Sequence, residues 1–104
     1  MPRLGLTTTL VVRHGAELAD EIGFTHVSVT TVARRLGIKT ASLYAHVQGN
    51  DDLRTRIAML ALEEMADRAD RDLAGRAGAE ALVALGEVYR GYAADHPGRY
   101  DASR

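Results

Sequence analysis

Glycine residues divide the first half of this chain into short segments. Gly23, Gly37 and Gly49 each follow a stretch in which apolar residues recur three or four positions apart, which is the period of an α-helix. Because glycine accepts the left-handed conformation that often ends a helix, each of them predicts a helix end. Only two turns of helix fit between Ser28 and Gly37, and the next predicted helix, at about 41–46, is also short.

The remaining segments show the same spacing over longer stretches. Apolar residues recur with the helical period at about 9–22, 50–73 and 79–95, and His96-Pro97 follows the last of these. Proline disfavours helix at the residue before it, so that helix is predicted to end there. No stretch alternates apolar and polar residues as a half-buried strand does. The predicted fold class is therefore all-α, and the inward side of the last helix is predicted to contain Leu82, Leu85, Tyr89 and Tyr92.

The long helix predicted at 50–73 has acidic residues four positions before arginines. This spacing brings opposite charges together on the solvated face of a helix, where each pair contributes roughly a few tenths of a kcal/mol. We therefore expect ion pairs at Glu64–Arg68, Asp67–Arg71 and Asp72–Arg76, without a functional role.

The composition argues against several classes of function. With no cysteine among 104 residues, disulfides and thiolate zinc sites are excluded. His14, His26 and His96 lack the spacing of a metal site, and we find neither a glycine-rich phosphate loop nor a nucleophile–base pair. We expect no cofactor and no enzymatic activity. No apolar run is long enough to span a membrane and the first residues do not resemble a secretory signal, so a cytoplasmic location is expected.

The two short helices between Ser28 and Val47 carry the main functional indication. Two such helices joined around a glycine form a helix-turn-helix, whose second helix enters the major groove of DNA. In the second helix, Leu43 and Val47 are predicted to face inward. The other side is formed by hydrogen-bonding residues, which suit base edges and phosphates: Thr40, Ser42, Tyr44 and His46.

The charge distribution weakly supports a polyanion near the first half of the chain. Residues 1–50 contain five Lys or Arg and three acidic residues, whereas residues 51–104 contain eight Arg and eleven acidic residues. A nucleic acid would be attracted by the first part and repelled by the second. The cations nearest in sequence to the second short helix, and hence candidate DNA contacts, are Arg34, Arg35 and Lys39.

This region resembles a known family. The runs Gly23-Phe24, Ser28 to Ile38, and Ser42-Leu43-Tyr44-Ala45-His46-Val47 are similar to the DNA-binding head of the TetR family of bacterial transcriptional regulators. The resemblance covers about residues 9–60. It implies a three-helix DNA-binding domain at residues 1–50. It also implies that residues 51–104 form a long connecting helix and the beginning of a helical regulatory domain.

The resemblance implies which residues of the second short helix meet DNA. The family uses the hydroxyl at the position of Tyr44 on a DNA phosphate, and the residue at the position of His46 also contacts the DNA backbone. Residues at the positions of Thr40, Ala41 and Ser42 face base edges. Ala41 offers only a methyl group, which suits contact with a thymine methyl.

Two positions outside that helix complete the implied interface. The residue at the position of Thr30 often contacts DNA from the preceding helix. Family members usually have lysine at the position of Asn50, where it binds phosphate. The neutral Asn50 therefore predicts a binding constant that depends on salt less steeply, by about one phosphate.

The last residues resemble the family less specifically. The run from Tyr92 to Tyr100 is similar to a helix-His-Pro-x-x-Tyr junction in the ligand-binding domain, and Tyr89 and Tyr92 are candidate residues of an effector pocket. Family members continue for several more helices, which build the effector pocket and the dimer interface. This chain stops at Arg104, so the sequence leaves both effector binding and the usual homodimer open.

Two functional hypotheses remain. The first is a sequence-specific regulator of TetR type, a repressor that binds double-stranded DNA as a homodimer and is released by a small-molecule effector. The alternative is a truncated or degenerate regulator subunit that acts through protein–protein contacts without binding DNA itself. The acidic second half, Asn50 and the stop at Arg104 favour the alternative.

Overall fold

The structure is a computed structural model, and it describes residues 5–104. Within that part of the chain it contains six α-helices and no strand, which confirms the predicted all-α fold class. The helices are α1 (Thr8–Ile22), α2 (Val29–Leu36), α3 (Thr40–Leu43), α4 (Asn50–Asp72), α5 (Gly78–Asp95) and α6 (Pro97–Ser103), and a short 3₁₀ turn (Phe24–His26) joins α1 to α2.

Local side-chain and backbone signals set the limits of α1 and α2. The side chain of Thr7 accepts a hydrogen bond from the Leu10 amide at the start of α1. Ser28 and Thr31 form a reciprocal capping box at the start of α2, which satisfies amides that have no partner within the helix. Gly37 ends α2 in the left-handed region, with φ 71°, a conformation that other residues adopt only at a steric cost.

The third helix differs in detail from the sequence prediction. Thr40 is its first helical residue, one position before the predicted start, and Lys39 precedes it without a capping side-chain bond. The α-helix ends at Leu43, although the sequence predicted it to continue to His46. The reason is that the amides of Tyr44 and His46 bond to carbonyls three residues back rather than four, which tightens the chain into turns after a single helical turn.

The main core lies where α1, α2, α3 and α4 meet. Leu43 and Val47 both contribute to it, as predicted, and are 0% and 1% exposed. Phe24 is half-buried against the same cluster. The other large side chains that are fully buried in this core are aliphatic: Val11, Val27, Val29, Val32, Leu53 and Ile57.

The second half of the chain has a smaller apolar cluster, and it packs on the first half through α4 in the main core and through α6. Ala61 and Met65 of α4 pack against Tyr92 of α5. At the start of α6, a methyl group built on Gly98 would lie 1.9 Å from the carbonyl oxygen of Ala19 in α1. The backbones of α6 and α1 therefore touch without an intervening side chain.

The exposed side of α5 was predicted wrongly in part. Val88 and Tyr92 face inward, whereas Leu82 and Val83 are 72% and 63% exposed and Tyr89 is 47% exposed. Ala84, Val88 and Tyr92 follow one another at intervals of four and form the buried stripe. Leu82 and Tyr89 lie on a different side of the helix from that stripe, because each residue advances the helix by about 100°.

The expected ion pairs along α4 are also absent. Glu64 pairs with Arg99 of α6 at 3.0 Å, and Arg68 pairs with Asp95 of α5 at 3.1 Å. Within residues 5–104, the expected pairs Asp67–Arg71 and Asp72–Arg76 are not ion pairs. Glu64 and Arg68 have partners on neighbouring helices instead of on α4, because α5 and α6 pack on that part of α4. Asp67, Arg71 and Asp72 remain exposed, as a solvated face predicts. No helix in the described part of the chain combines the length and the apolar character needed to cross a membrane.

Candidate nucleic-acid interface

The helices α2 and α3 present one face to solvent because their opposite face is fixed in the core. Val32 of α2 and Leu43 of α3 are completely buried. The amide of Ile38 bonds to the carbonyl of Ala33 at 3.0 Å and closes the turn after Gly37. The two helices are thus held by apolar side chains on one side, and the polar residues between those side chains point outward.

The outward-facing residues form a continuous candidate surface, which we call the exposed polar face. Tyr44 is 55% exposed, and His46 is half-exposed, so neither side chain is enclosed in the helical bundle. Within residues 5–104, no side chain of this face makes a hydrogen bond or an ion pair with another residue. The members of the exposed polar face are Thr30, Arg34, Lys39, Thr40, Ala41, Ser42, Tyr44 and His46.

A backbone contact fixes the end of this face against α1. The hydroxyl of Thr8 donates a hydrogen bond of 3.0 Å to the carbonyl of His46. This bond uses only the main chain of His46, so the imidazole remains available. The turn that carries Tyr44 and His46 is therefore anchored although it is not a regular α-helix.

Arg35, which the sequence analysis named as a candidate DNA contact, is bonded to α1 in the structure. Its guanidinium pairs with Glu21 of α1 at 2.7 Å and approaches Glu17 at 3.6 Å. The hydrogen bond to Glu21 raises the pKa of Arg35 above its usual value. Arg35 thus neutralises acidic groups and ties α2 to α1, while Arg34 beside it makes no such contact.

Asn50 is exposed, but part of its side chain is already in use. Its Oδ1 accepts a hydrogen bond of 2.8 Å from the backbone amide of Val29, the first residue of α2. Only its Nδ2 group remains to donate to a phosphate. No local pattern in the sequence indicates this contact, because 21 positions separate the two residues.

Arg54 is a second residue of α4 that the sequence analysis did not single out. Its Nη2 donates to the carbonyl of Thr25 at 2.8 Å and to that of Val27 at 3.2 Å. The guanidinium also lies 5.0 Å from the centroid of the Phe24 ring, within the range of a cation–π interaction. An arginine one turn into a helix is ordinarily solvated, so the sequence does not indicate these contacts. They appear only in the structure.

The start of α4 carries a local acidic contact. Asp52 accepts a hydrogen bond of 2.8 Å from the amide of Gln48 and pairs with Arg56 at 3.0 Å. The bond from Gln48, followed by the one from Arg56, lowers the pKa of Asp52. Its carboxylate is therefore held in the ionised form, and it binds the main-chain amide of Gln48 just before α4.

The two candidate effector-pocket tyrosines lie apart. Tyr92 is fully buried, and its hydroxyl donates a hydrogen bond of 2.8 Å to Glu64, whereas Tyr89 is 47% exposed. Burial and the bond to Glu64 raise the pKa of Tyr92, so it remains a protonated donor. A cavity of about 230 Å³ beside Tyr92 is lined by the charged residues Glu64, Asp67, Arg68 and Arg71 and by His96, and Tyr89 does not line it.

Around Tyr92 the structure assembles a group that we call the buried polar cluster: Asp20, Glu64, Tyr92, His96 and Arg99. Arg99 is 8% exposed, and its Nη1 donates to Glu64 at 3.0 Å. Asp20 accepts the backbone amide of Arg99 at 2.9 Å and lies 2.8 Å from Nδ1 of His96. The cluster joins α1, α4, α5 and α6, and sequence reasoning missed it because Asp20 and Arg99 are 79 positions apart.

The described residues contain no group of three or more His, Asp or Glu arranged to hold a metal ion. The histidines have other neighbours: His96 faces Asp20, and Nδ1 of His14 lies 3.7 Å from Glu17. The described residues thus include an unpartnered polar surface, the exposed polar face, and an internally paired group, the buried polar cluster.

Comparison with known proteins gives relatives of one kind. The chain is 31% identical over 102 residues to the uncharacterized HTH-type transcriptional regulator YobS of Bacillus subtilis, a match that covers 98% of this chain and 53% of that protein. It is 33% identical over 97 residues to the uncharacterized HTH-type transcriptional regulator Rv0681 of Mycobacterium tuberculosis, covering 93% of this chain and 44% of that protein. No protein-family model matches the chain.

A third relative has the same type of name. The HTH-type transcriptional regulator Rv1816 of Mycobacterium tuberculosis is 27% identical over 93 residues, which cover 86% of this chain and 40% of that protein. The chain thus spans about half the length, or less, of the curated relatives it matches. Its homologues are named helix-turn-helix transcriptional regulators, which supports a DNA-binding regulator and agrees with the short helix pair α2–α3.

Proposed function

We propose that this chain is the DNA-binding part of a transcriptional regulator of TetR type. The observation that carries the proposal is the exposed polar face, whose side chains have no partner among residues 5–104 although α2 and α3 are fixed firmly behind it. Surface groups that bind DNA must be both accessible and well positioned. Residues 1–50 then form the DNA-binding domain, and residues 51–104 form the connecting helix and the first part of the regulatory region.

The proposed docking places α3 and the turn after it in the major groove of double-stranded DNA. Thr40, Ala41 and Ser42 lie at the start of this segment and face base edges. Tyr44 and His46 donate to phosphates beside the groove. Thr30 and Arg34 approach the DNA backbone from α2, and Lys39 does so from the turn.

Regulation follows from the same proposal. The regulator acts in the cytoplasm as a repressor, binds a two-fold symmetric operator as a homodimer, and releases DNA when a small effector binds the regulatory region. Two helix-turn-helix heads on successive major grooves need centres about 34–36 Å apart, so a change in that separation would release the DNA. Tyr89 is exposed and Tyr92 is enclosed in the buried polar cluster, so of the two only Tyr89 is accessible for an effector in this part of the chain.

The direct test is selection of duplex DNA from a random-sequence pool, followed by binding measurements on the selected duplex. We expect an enriched symmetric sequence, and Ser42→Ala or Thr40→Ala should change the base preference within each half-site. A pool from which no sequence is enriched, together with binding no tighter than to bulk DNA, would contradict the proposal.

A second candidate function is supported by the apolar surface of α5. Leu82, Val83 and Tyr89 are all exposed, and adjacent exposed apolar residues are typical of protein–protein contact surfaces. In this function the chain is a regulator subunit that pairs with another regulator and does not bind DNA itself. Sedimentation of an equimolar mixture with a longer relative would show a heteromer that lacks operator binding, whereas two separate species would exclude this function.

A further inference from the structure

The start of α2 is held by side chains of α4 as well as by its own cap. Asn50 accepts the Val29 amide at 2.8 Å, and Arg54 donates to the carbonyls of Thr25 and Val27 at 2.8 and 3.2 Å. All of these bonds reach the short connection between α1 and α2. One side chain thus satisfies a helix-starting amide, and the other satisfies two carbonyls of the turn that precedes it.

These backbone groups have no replacement partner within α2. The side chain of Ser28 is occupied by the amide of Thr31, and the carbonyl of Ser28 accepts the amide of Val32. The Val29 amide is one of the groups that a helix start always leaves unpaired. Its bond to Asn50 is therefore a side-chain link between the start of α2 and α4.

Arg54 has a geometry that suits positioning and not phosphate binding. Its side chain is half-buried, its Nη2 is directed at two main-chain carbonyls, and its plane lies near the Phe24 ring. A guanidinium with this fixed fork loses less rotational freedom for each bond it makes than a lysine would.

We propose that Asn50 and Arg54 are positioning residues, which set the orientation of the α2–α3 pair on α4 and thereby the fit of the exposed polar face to DNA. The inference rests on the proposed function. Binding constellations have to be held to within about 0.5 Å of the productive geometry. Loss of these bonds should weaken DNA binding although neither Arg54 nor the acceptor oxygen of Asn50 touches DNA.

The test uses the 104-residue chain and the duplex selected by the wild-type protein. The variants are Arg54→Met, Arg54→Lys and Asn50→Ala, and the control is Arg56→Met. Arg56 lies on the same helix and is exposed, and within residues 5–104 its side chain pairs with Asp52 alone. Affinity is measured over a range of salt concentrations, well below the unfolding temperature of every variant.

Positioning and direct phosphate contact give different salt dependences. Loss of a phosphate contact made by a cation reduces the slope of log Kobs against log salt by about 0.9, whereas loss of positioning leaves the slope unchanged. The slope therefore separates the two roles for Arg54, whereas Asn50→Ala, which removes a neutral side chain, is compared by affinity alone. We expect Arg54→Met to bind about tenfold more weakly at every salt concentration with the wild-type slope, and Asn50→Ala to bind about threefold more weakly, since each net hydrogen bond contributes a modest factor. Arg54→Lys keeps the charge and should recover only part of the affinity. This variant therefore tests the positioning role even if Arg54→Met is unstable.

The outcomes separate the two claims. A wild-type chain that selects no duplex overturns the proposed function and this inference together. A wild-type chain that binds, with Arg54→Met matching Arg56→Met or showing a reduced slope, overturns the positioning role alone. Arg54→Lys that binds like the wild type would also overturn it, because charge would then be sufficient.

Discussion

The exposed polar face and the buried polar cluster each contain a tyrosine, a histidine and an arginine, but they differ in whether those residues have partners. Tyr44 is 55% exposed with its hydroxyl unpaired, whereas Tyr92 is 0% exposed and donates to Glu64. Arg34 is exposed and unpaired among residues 5–104, whereas Arg99 is 8% exposed between two carboxylates. A polar residue whose hydrogen bonds are all made within the chain supports the fold, and one whose bonds are unmade on a rigid surface is available to a ligand.

This comparison predicts two separable sets of variants. Changes in the buried polar cluster, or in the nearby backbone contact between Gly98 and Ala19, should lower the free energy of unfolding. Changes in the exposed polar face should weaken DNA binding and leave the fold intact, because surface substitutions without partners usually alter stability by less than about 0.5 kcal/mol.

The largest effect is expected from Gly98→Ala. A methyl group at this position would lie 1.9 Å from the Ala19 carbonyl oxygen, so α6 would have to move off α1 and separate Asp20 from Arg99. We expect a loss of roughly 3–5 kcal/mol in urea unfolding, as for other severe steric changes in a core. The control is Gly86→Ala on α5, where a methyl group meets only the end of the Arg90 side chain and should stabilise the helix by up to about 1 kcal/mol. Equal stability of the two variants would contradict the described α1–α6 contact.

The second effect in size is expected from Arg99→Met. The guanidinium lies between Asp20 and Glu64 at 3.1 and 3.0 Å, and without it two half-enclosed carboxylates face each other. Removing one member of a fully buried ion pair costs about 3–5 kcal/mol. We expect about 2–3 kcal/mol here, because Glu64 is partly exposed. The matched change Arg34→Met should leave the urea midpoint unchanged, and a similar loss for both variants would show that the cluster has no special role.

The sharpest test of the comparison replaces Tyr44 and Tyr92, one at a time, by phenylalanine, which removes only the hydroxyl oxygen. Tyr92→Phe should lose about 1–2 kcal/mol of stability through the bond to Glu64 and keep its DNA affinity. Tyr44→Phe should keep the wild-type stability and bind the selected duplex about fivefold more weakly, because a hydrogen bond to a charged phosphate is lost. Thermal unfolding and DNA titration on both proteins provide the four measurements. The distinction between the two regions would fail if both variants changed the same property.

The smallest effect concerns Asp52 and pH. Its pKa is lowered in the folded chain, first by the bond from the Gln48 amide, so the ionised carboxylate contributes stability at neutral pH. That contribution is lost as the pH falls below about 4, the ordinary range of the group, and through the lowered pKa. We expect Asp52→Asn to melt slightly below the wild type at pH 7 and to approach it at acidic pH. The neighbouring variant Asp51→Asn, whose side chain is exposed, should show a smaller difference at neutral pH. A difference in melting temperature between the wild type and Asp52→Asn that grows at acidic pH would contradict the contact between Asp52 and the Gln48 amide.

Much of the fold could be predicted because its signals are local. The capping residue Ser28 and the left-handed Gly37 delimit α2 within a few positions of sequence, and the apolar period identifies the buried sides of Leu43 and Val47. The end of α3 could not be predicted in this way. Turns with hydrogen bonds to the third preceding residue and helices with hydrogen bonds to the fourth are formed by almost the same residue types.

The partners of the charged residues could not be predicted from sequence. Arg35 bonds to Glu21, Asn50 to Val29, and Asp20 to Arg99, and each pair is brought together only by the packing of whole helices. The sequence analysis assigned Arg35 to the DNA side as a cation near the second short helix, and the resemblance assigned Asn50 by its position. Their assignment to DNA remains a prediction, and the structure shows that each also bonds to another part of the chain.

The contact of Gly98 with Ala19 also limits how this protein can change over evolutionary time. Most helix contacts can be loosened by degrees, because trimming a leucine to valine or alanine leaves intermediate sizes. Where Gly98 meets Ala19 there is no side chain to trim, since main chain meets main chain. Natural variation can therefore change this one contact only in a large step, and finer changes in the link between the two halves fall to the side chains around it.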